Sequence, residues 1–421
     1  MATVPLAPTV PSQPPTDRVP AKRRRQIVAD EFLGRAWGKG WLPRPDLDPE
    51  RLIAAACGPG RQGDLEEGGW RQRLDVLTQA LEAEAFLNRL GRTIAYGQLV
   101  MALRNRLLGQ DLWRRHPEIA DYPIRSPILV IGQMRSGTTR MQRLLACDPR
   151  FAFTRFFESW APFPGRASWD DRPLRAWVGL RCAHLINPEF RYIHPTGLRE
   201  ADEEIGLQNM SIFGAAFEAQ WRVPSFAAHI EAVDARPIYA EFKRQLQTIG
   251  WLRRGERPRP WVLKLPQFAQ DAEALLATFP DARIVVVERD RADVVASSAS
   301  LVRNQMLVQS DHVDGDWIGR EWVRKTQLRQ ARLTAALSGS AAPRATVRFE
   351  AFAADWAGEM VRAYAALGLP LTSEVRHRME AFLTAPEHRA LAKHRYSPGD
   401  FGLSGPQSAG LPEGSSSARD A

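Results

Sequence analysis

Ile128-Leu129-Val130-Ile131 is an unbroken apolar run, closed by Pro127 on one side and by Gly132 on the other. A short run without polar alternation is the pattern of a strand covered on both faces, and such strands belong to parallel sheets dressed with helices. The segment Gln133-Met134-Arg135-Ser136-Gly137-Thr138-Thr139 follows at once, and Met141, Leu144 and Leu145 then recur at helical spacing. Strand, glycine-bearing turn and helix therefore succeed one another, which commits this part of the chain to an α/β architecture. Further apolar runs at Trp261-Val262-Leu263, Ile284-Val285-Val286-Val287 and Ala345-Thr346-Val347 are separated by amphipathic stretches long enough for crossover helices. The expected core is a parallel sheet of βαβ type, flanked by helices.

Residues 1–25 are proline-rich, end in Lys22-Arg23-Arg24-Arg25 and lack apolar periodicity, so they read as a disordered basic tail. Residues 26–122 read as an N-terminal helical region, with Leu74, Leu77, Leu81 and Ala85, then Leu99, Leu103 and Leu107, at threes and fours. The α/β domain is expected over 123–408, with a helical insertion at 199–255, and 409–421 as a second disordered tail. Phe213, Phe217, Trp221 and Phe226 in the insertion fit an acceptor pocket, although their helical spacing suits core positions better.

A formal charge of +9 favours anionic ligands without selecting one, because it is spread along the chain. The basic run suits a solvated or weakly membrane-grazing segment, and no specific nucleic-acid contact is expected. Three cysteines with no CxxC pairing, and no apolar stretch of signal-peptide or membrane-span character, point to a reducing compartment and a cytoplasmic location.

A strand-turn-helix of this kind aims successive backbone N–H groups and the positive helix end at one point, which is a phosphate cradle. Gly137 keeps the backbone accessible, Arg135 supplies a fixed positive charge, and Ser136, Thr138 and Thr139 bring hydroxyls. The spacing of Gly132 and Gly137 matches the front of a Walker A loop, so the fold is expected to be P-loop-like. The Lys-Ser/Thr that would follow in a nucleoside-triphosphate enzyme is replaced by Thr138-Thr139, which counts against ATP or GTP chemistry.

At Arg135-Ser136-Gly137-Thr138-Thr139 the chain resembles the sulfotransferase superfamily, in particular a bacterial branch akin to tyrosylprotein sulfotransferases. The likeness extends from LNRLGR at 87–92, LRNRL at 103–107 and PEI at 117–119 to KHRYSPGDFGL at 393–403. It implies that the loop holds the 5'-phosphosulfate of 3'-phosphoadenosine 5'-phosphosulfate (PAPS), which leaves as 3',5'-bisphosphoadenosine. It further implies that Arg289 and Ser297, in the strand-to-helix segment Val287-Glu288-Arg289-Asp290-Arg291 to Ser297-Ser298, hold the 3'-phosphate, with Arg291 a further candidate. Lys264 resembles a lysine that relatives place near the sulfuryl group. Phe349 stands where relatives often carry tyrosine, so a hydroxyl contact there is lost. Lys393-His394-Arg395-Tyr396 is a candidate to close over the nucleotide.

Sulfuryl transfer requires alignment of the attacking oxygen, sulfur and leaving oxygen, with cations on the charge that builds on the leaving group. Arg135 and Lys264 suit that task, and no metal is expected. A general base must take the acceptor proton. Glu158, in Arg155-Phe156-Phe157-Glu158-Ser159-Trp160, matches the glutamate of the tyrosylprotein enzymes apart from a spacing about two residues longer, and His194 is the second candidate. Glu203 and Glu204 read as a helix-capping acidic pair. The acceptor is a hydroxyl, less readily an amine, on a small molecule, lipid, glycan or peptide, and the oligomeric state is not legible. The competing classes are a nucleoside-triphosphate kinase and a non-enzymatic nucleotide- or RNA-binding protein.

Overall fold

The computed structural model describes residues 24–58, 68–165, 169–385 and 397–403. Most of the first tail, all of the second and the Lys393–Tyr396 closure candidate lie outside these residues. Arg24 and Arg25, expected in the tail, instead open the helix Arg24–Gly38.

Among the described residues five strands form one sheet: β1 Ile128–Gly132, β2 Ala152–Phe153, β3 Trp261–Lys264, β4 Arg283–Glu288 and β5 Arg344–Arg348. Their order is β2-β3-β1-β4-β5 and every pairing is parallel. β1 lies at the centre, so its apolar run is covered on both faces and all five of its residues are buried. The faces separate by alternation. Leu129, Ile131, Leu263, Ile284 and Val286 pack toward the N-terminal helices and the insertion. Ile128, Val130, Val262, Val285 and Val287 meet Met141, Leu144 and Leu145 of the helix Thr138–Ala146, together with Met360 and Tyr364. β5, at the edge, alternates between buried Ala345 and Val347 and exposed Arg344, Thr346 and Arg348.

The N-terminal part is helical, with Trp70–Ala83 burying Leu74, Leu77 and Leu81 and Arg89–Arg115 burying Leu99 and Leu103. The second of these is fastened to the sheet unit at its start. Asn88 caps the helix by accepting from Gly91 N at 2.7 Å, while its Nδ2 donates to Val308 O at 3.1 Å. A Cβ on Gly91 would stand 1.9 Å from Gln309 O, so glycine is what permits this helix to touch the helix Arg291–Gln309. Between β2 and β3 the insertion supplies Ile205–Asn209, Ala215–Gln220, Pro224–Ala232 and Arg236–Leu252. Phe213, Phe217, Trp221 and Phe226 are buried in the main core, so packing is their role. Among the described residues no helix is long and apolar enough to cross a membrane.

Candidate active site

The turn after β1 is shaped by two residues of left-handed backbone. Arg135 adopts φ 70° and Gly137 φ 98°, and Gly137 immediately precedes the helix Thr138–Ala146. Gly137 also faces Phe349, whose ring a Cβ would approach to 2.6 Å, so both backbone and space require glycine. Internal bonds set the rest of the turn: Ser136 Oγ donates to Gln133 O at 2.8 Å and Ser298 Oγ to Met134 O at 3.0 Å. The Ser136 hydroxyl thus shapes the loop with its proton. Thr138 and Thr139 occupy the first helical turn, where unpaired amides and the helix dipole favour an anion.

Arg135, Ser297 and Arg289 converge. Arg135 Nε donates to Ser297 Oγ at 3.2 Å and its Nη1 to Ile193 O at 2.9 Å. Arg289 Nη1 donates to Arg135 O at 3.0 Å, its Nη2 pairs with Asp293 at 3.1 Å, and the guanidinium lies 4.7 Å over the Phe349 ring. The buried Arg289 Nε has no acceptor among the described residues, an orphaned donor that suits an anion at this point. Phe349 therefore sits between the turn and Arg289 as a stacking partner. Arg291 starts the next helix, half-buried, without a side-chain ion pair or hydrogen bond among the described residues.

At the end of β3 the ammonium of Lys264, 0% exposed, pairs with Glu203 and stands 3.0 Å from Thr139 Oγ1. Its own backbone N–H donates to Glu204 Oε2 at 2.9 Å. Burial lifts the Glu204 carboxyl up to about 8, against the opposing pull of the Lys264 amide and charge. Next in line, Asp202 binds His194 Nε2 at 3.0 Å and the Thr196 hydroxyl, and accepts from Glu203 N at 2.7 Å. Burial acts to depress the His194 pKa, yet the Asp202 carboxylate overcomes it and the net shift is upward. The partnership with His194 and the charge of Lys264 likewise hold Asp202 well below the carboxylate range against burial. Ser159 Oγ donates to Glu203 O at 2.8 Å and accepts from Gly206 N at 3.1 Å, which pins the acidic segment beside the phosphate turn.

Glu158, the first candidate base, lies in an ion pair with Arg253. It is 1% exposed, accepts from Arg253 Nε at 2.9 Å and Nη2 at 2.5 Å, and caps its helix by accepting from Arg155 N at 2.9 Å. Arg253 also donates to Phe153 O at 2.6 Å. Arg253 and Arg155 thus tie the buried Glu158 to the chain on either side of it. Glu203, read from sequence as a capping residue, is instead the carboxylate in contact with Lys264.

A central parallel strand and a glycine turn opening a helix define an α/β protein of P-loop-like fold, with cations gathered at the carboxyl ends of the strands, the edge where such sheets bind their ligands. The profile of the sulfotransferase family matches residues 127–373, more than half of the chain, and the protein belongs to that family. The crystal structure of sulfotransferase STF1 from Mycobacterium tuberculosis H37Rv superposes with a TM-score of 0.74 at 30% identity, covering 86% of this chain and 97% of that one. Sulfotransferase STF9 from Mycobacterium avium has the same fold, with a TM-score of 0.74, 22% identity and coverage of 84% and 92%. No curated protein matches the sequence.

Proposed function

We propose that the protein transfers the sulfuryl group of PAPS to a hydroxyl of its acceptor, with Glu203 as general base. The observation that carries this reading is the contact of Lys264 with both Glu203 and Thr139, which joins a cation, a proton acceptor and the phosphate turn at one point. The backbone amides from Ser136 to Thr139 and the hydroxyls of Thr138 and Thr139, with Arg135, hold the 5'-phosphosulfate. Arg289, Ser297 and Arg291 hold the 3'-phosphate, a second anion that the orphaned Arg289 Nε would satisfy.

The acceptor oxygen bonds to sulfur as the bond from sulfur to the 5'-phosphate oxygen breaks, and the electron pair departs on that oxygen. Lys264 and Arg135 meet the growing negative charge, while the acceptor proton passes to the Glu203 carboxylate. His194 acts through Asp202, which fixes the Glu203 peptide, and is a positioning residue. Glu158, held by Arg253, keeps the post-β2 helix in place. The chemistry asks for cations at the leaving oxygen, which these side chains supply, so turnover should persist in chelator.

The test is transfer of label from PAPS to a panel of phenols, sugars and lipid alcohols in the presence of EDTA. Labelled acceptor that disappears with Lys264→Ala supports the reading. Phosphate transfer from ATP-Mg, with no transfer from PAPS to any acceptor, would overturn it.

A further inference from the structure

The helix Arg172–Ile186 turns apolar side chains outward. Leu174, Trp177, Val178 and Leu185 fall with Arg181 on one helical face, and the four apolar residues are between 46 and 64% exposed. Trp169, before the helix, is exposed as well. At its far end, Ile186 O accepts from Gln26 Nε2 at 3.3 Å, which brings in the helix Arg24–Gly38. The residues flanking this contact are again exposed and apolar: Leu185 on one side, Ile27 and Val28 on the other, with Phe32 one turn further. The two helices meet at this contact, and each leaves large apolar side chains exposed beside it.

Positive charge borders the ridge. Arg24 and Arg25 are exposed at the start of the first helix, and the Arg181 guanidinium lies 5.5 Å over the Trp177 ring. The nearby carboxylates are already matched, Asp170 by Arg172 at 2.8 Å, Asp171 by Arg175 at 3.0 Å, Asp30 by Arg89 at 2.9 Å and Glu31 by Arg35 at 3.7 Å. Unmatched charge at the ridge is therefore basic, in a chain of net charge +9.

We infer that the ridge of Trp169, Leu174, Trp177, Leu185, Ile27 and Phe32 docks the protein onto an anionic bilayer surface. Exposed tryptophans with basic neighbours suit the headgroup boundary, where a helix lies in the plane with its apolar face down. Each arginine adds attraction to anionic lipid. A second copy of the chain is disfavoured, because a symmetric contact would bring Arg24, Arg25 and Arg181 against like charge. The ridge leads toward the catalytic edge, since the chain after Ile186 reaches Ile193, whose carbonyl holds Arg135 at 2.9 Å. Docking itself is independent of which donor or acceptor the enzyme uses.

Sedimentation of the full chain with vesicles tests the inference without any assay of activity. Partition onto vesicles of equal parts phosphatidylcholine and phosphatidylglycerol should exceed that onto phosphatidylcholine alone by about tenfold or more, and should weaken in about 0.5 M salt. The exposed double variant Trp177→Ser/Leu185→Ser should lose about tenfold or more of this binding with its melting temperature unchanged. Arg24→Gln/Arg25→Gln should reduce the preference for phosphatidylglycerol while keeping the apolar face. Equal binding by wild type and Trp177→Ser/Leu185→Ser would overturn the inference. So would a dimer that this variant dissociates while wild type shows no vesicle binding, or binding that depends on residues 1–23 and not on the ridge.

Discussion

Lys264 and Glu203 form an ion pair beside the phosphate turn, with Lys264 Nζ at 3.0 Å from Thr139 Oγ1. The pair joins the end of β3 to the segment that follows β2, and Glu204 accepts the Lys264 amide from the same segment. One short acidic stretch thus sets the lysine by its backbone and meets it at its tip.

Glu203→Gln removes a proton acceptor while keeping size and hydrogen bonding. It should lower kcat by about 10²–10⁴-fold with the affinity for 3',5'-bisphosphoadenosine nearly unchanged. Steady-state kinetics with PAPS, alongside calorimetry, check both halves. Near-normal turnover in this variant would remove Glu203 from the base role.

Glu158→Gln should behave differently, as a stability variant. It leaves Arg253 buried without its carboxylate, and loss of one member of such a pair costs about 3 kcal/mol or more. Urea denaturation should show the loss, while kcat per folded molecule changes far less than in Glu203→Gln. The reverse pattern would return the base role to Glu158.

The contrast between these two carboxylates shows what the sequence could reveal. The strand, turn and helix around Arg135 to Thr139 were legible because each signal is local: an apolar run, two glycines and a helical repeat. β2 was faint, since its two residues are a strand only by pairing with β3. Glu158 drew attention by its place after β2, but its Arg253 partner is 95 positions away. Glu203 and Lys264 are 61 positions apart, so the acidic stretch read as a helix cap. One signal was available: a lysine inside an apolar strand needs a carboxylate partner.

The phosphate turn gives a steric prediction. Gly137→Ala combines strained backbone at φ 98° with a Cβ 2.6 Å from Phe349, so it should displace the ring that Arg289 covers. Nucleotide affinity should fall at least about tenfold through this disturbance of the cradle. Calorimetry with 3',5'-bisphosphoadenosine measures it, and unchanged affinity would contradict the tight fit.

A pH dependence follows from Glu204. Its carboxyl is raised to about 8 in the folded chain from an ordinary 4.5, so the folded state retains a proton that the unfolded state releases. The favourable contribution is complete below about 4.5 and is lost as pH rises to about 8. Melting temperatures of Glu204→Gln should therefore decline less than those of wild type between pH 5 and 8. Parallel declines would mean that Glu204 does not carry this proton.

Titration calorimetry with 3',5'-bisphosphoadenosine and 5'-AMP, on wild type and on Arg289→Ala, tests the central claim most directly. Two anion sites served by separate arginines predict tight binding of the bisphosphate by wild type. In Arg289→Ala the bisphosphate should lose about tenfold or more in affinity while 5'-AMP changes little, because only the former places charge at the 3' position. Equal losses for both ligands, or wild-type binding of ATP-Mg with none of the bisphosphate, would contradict the account.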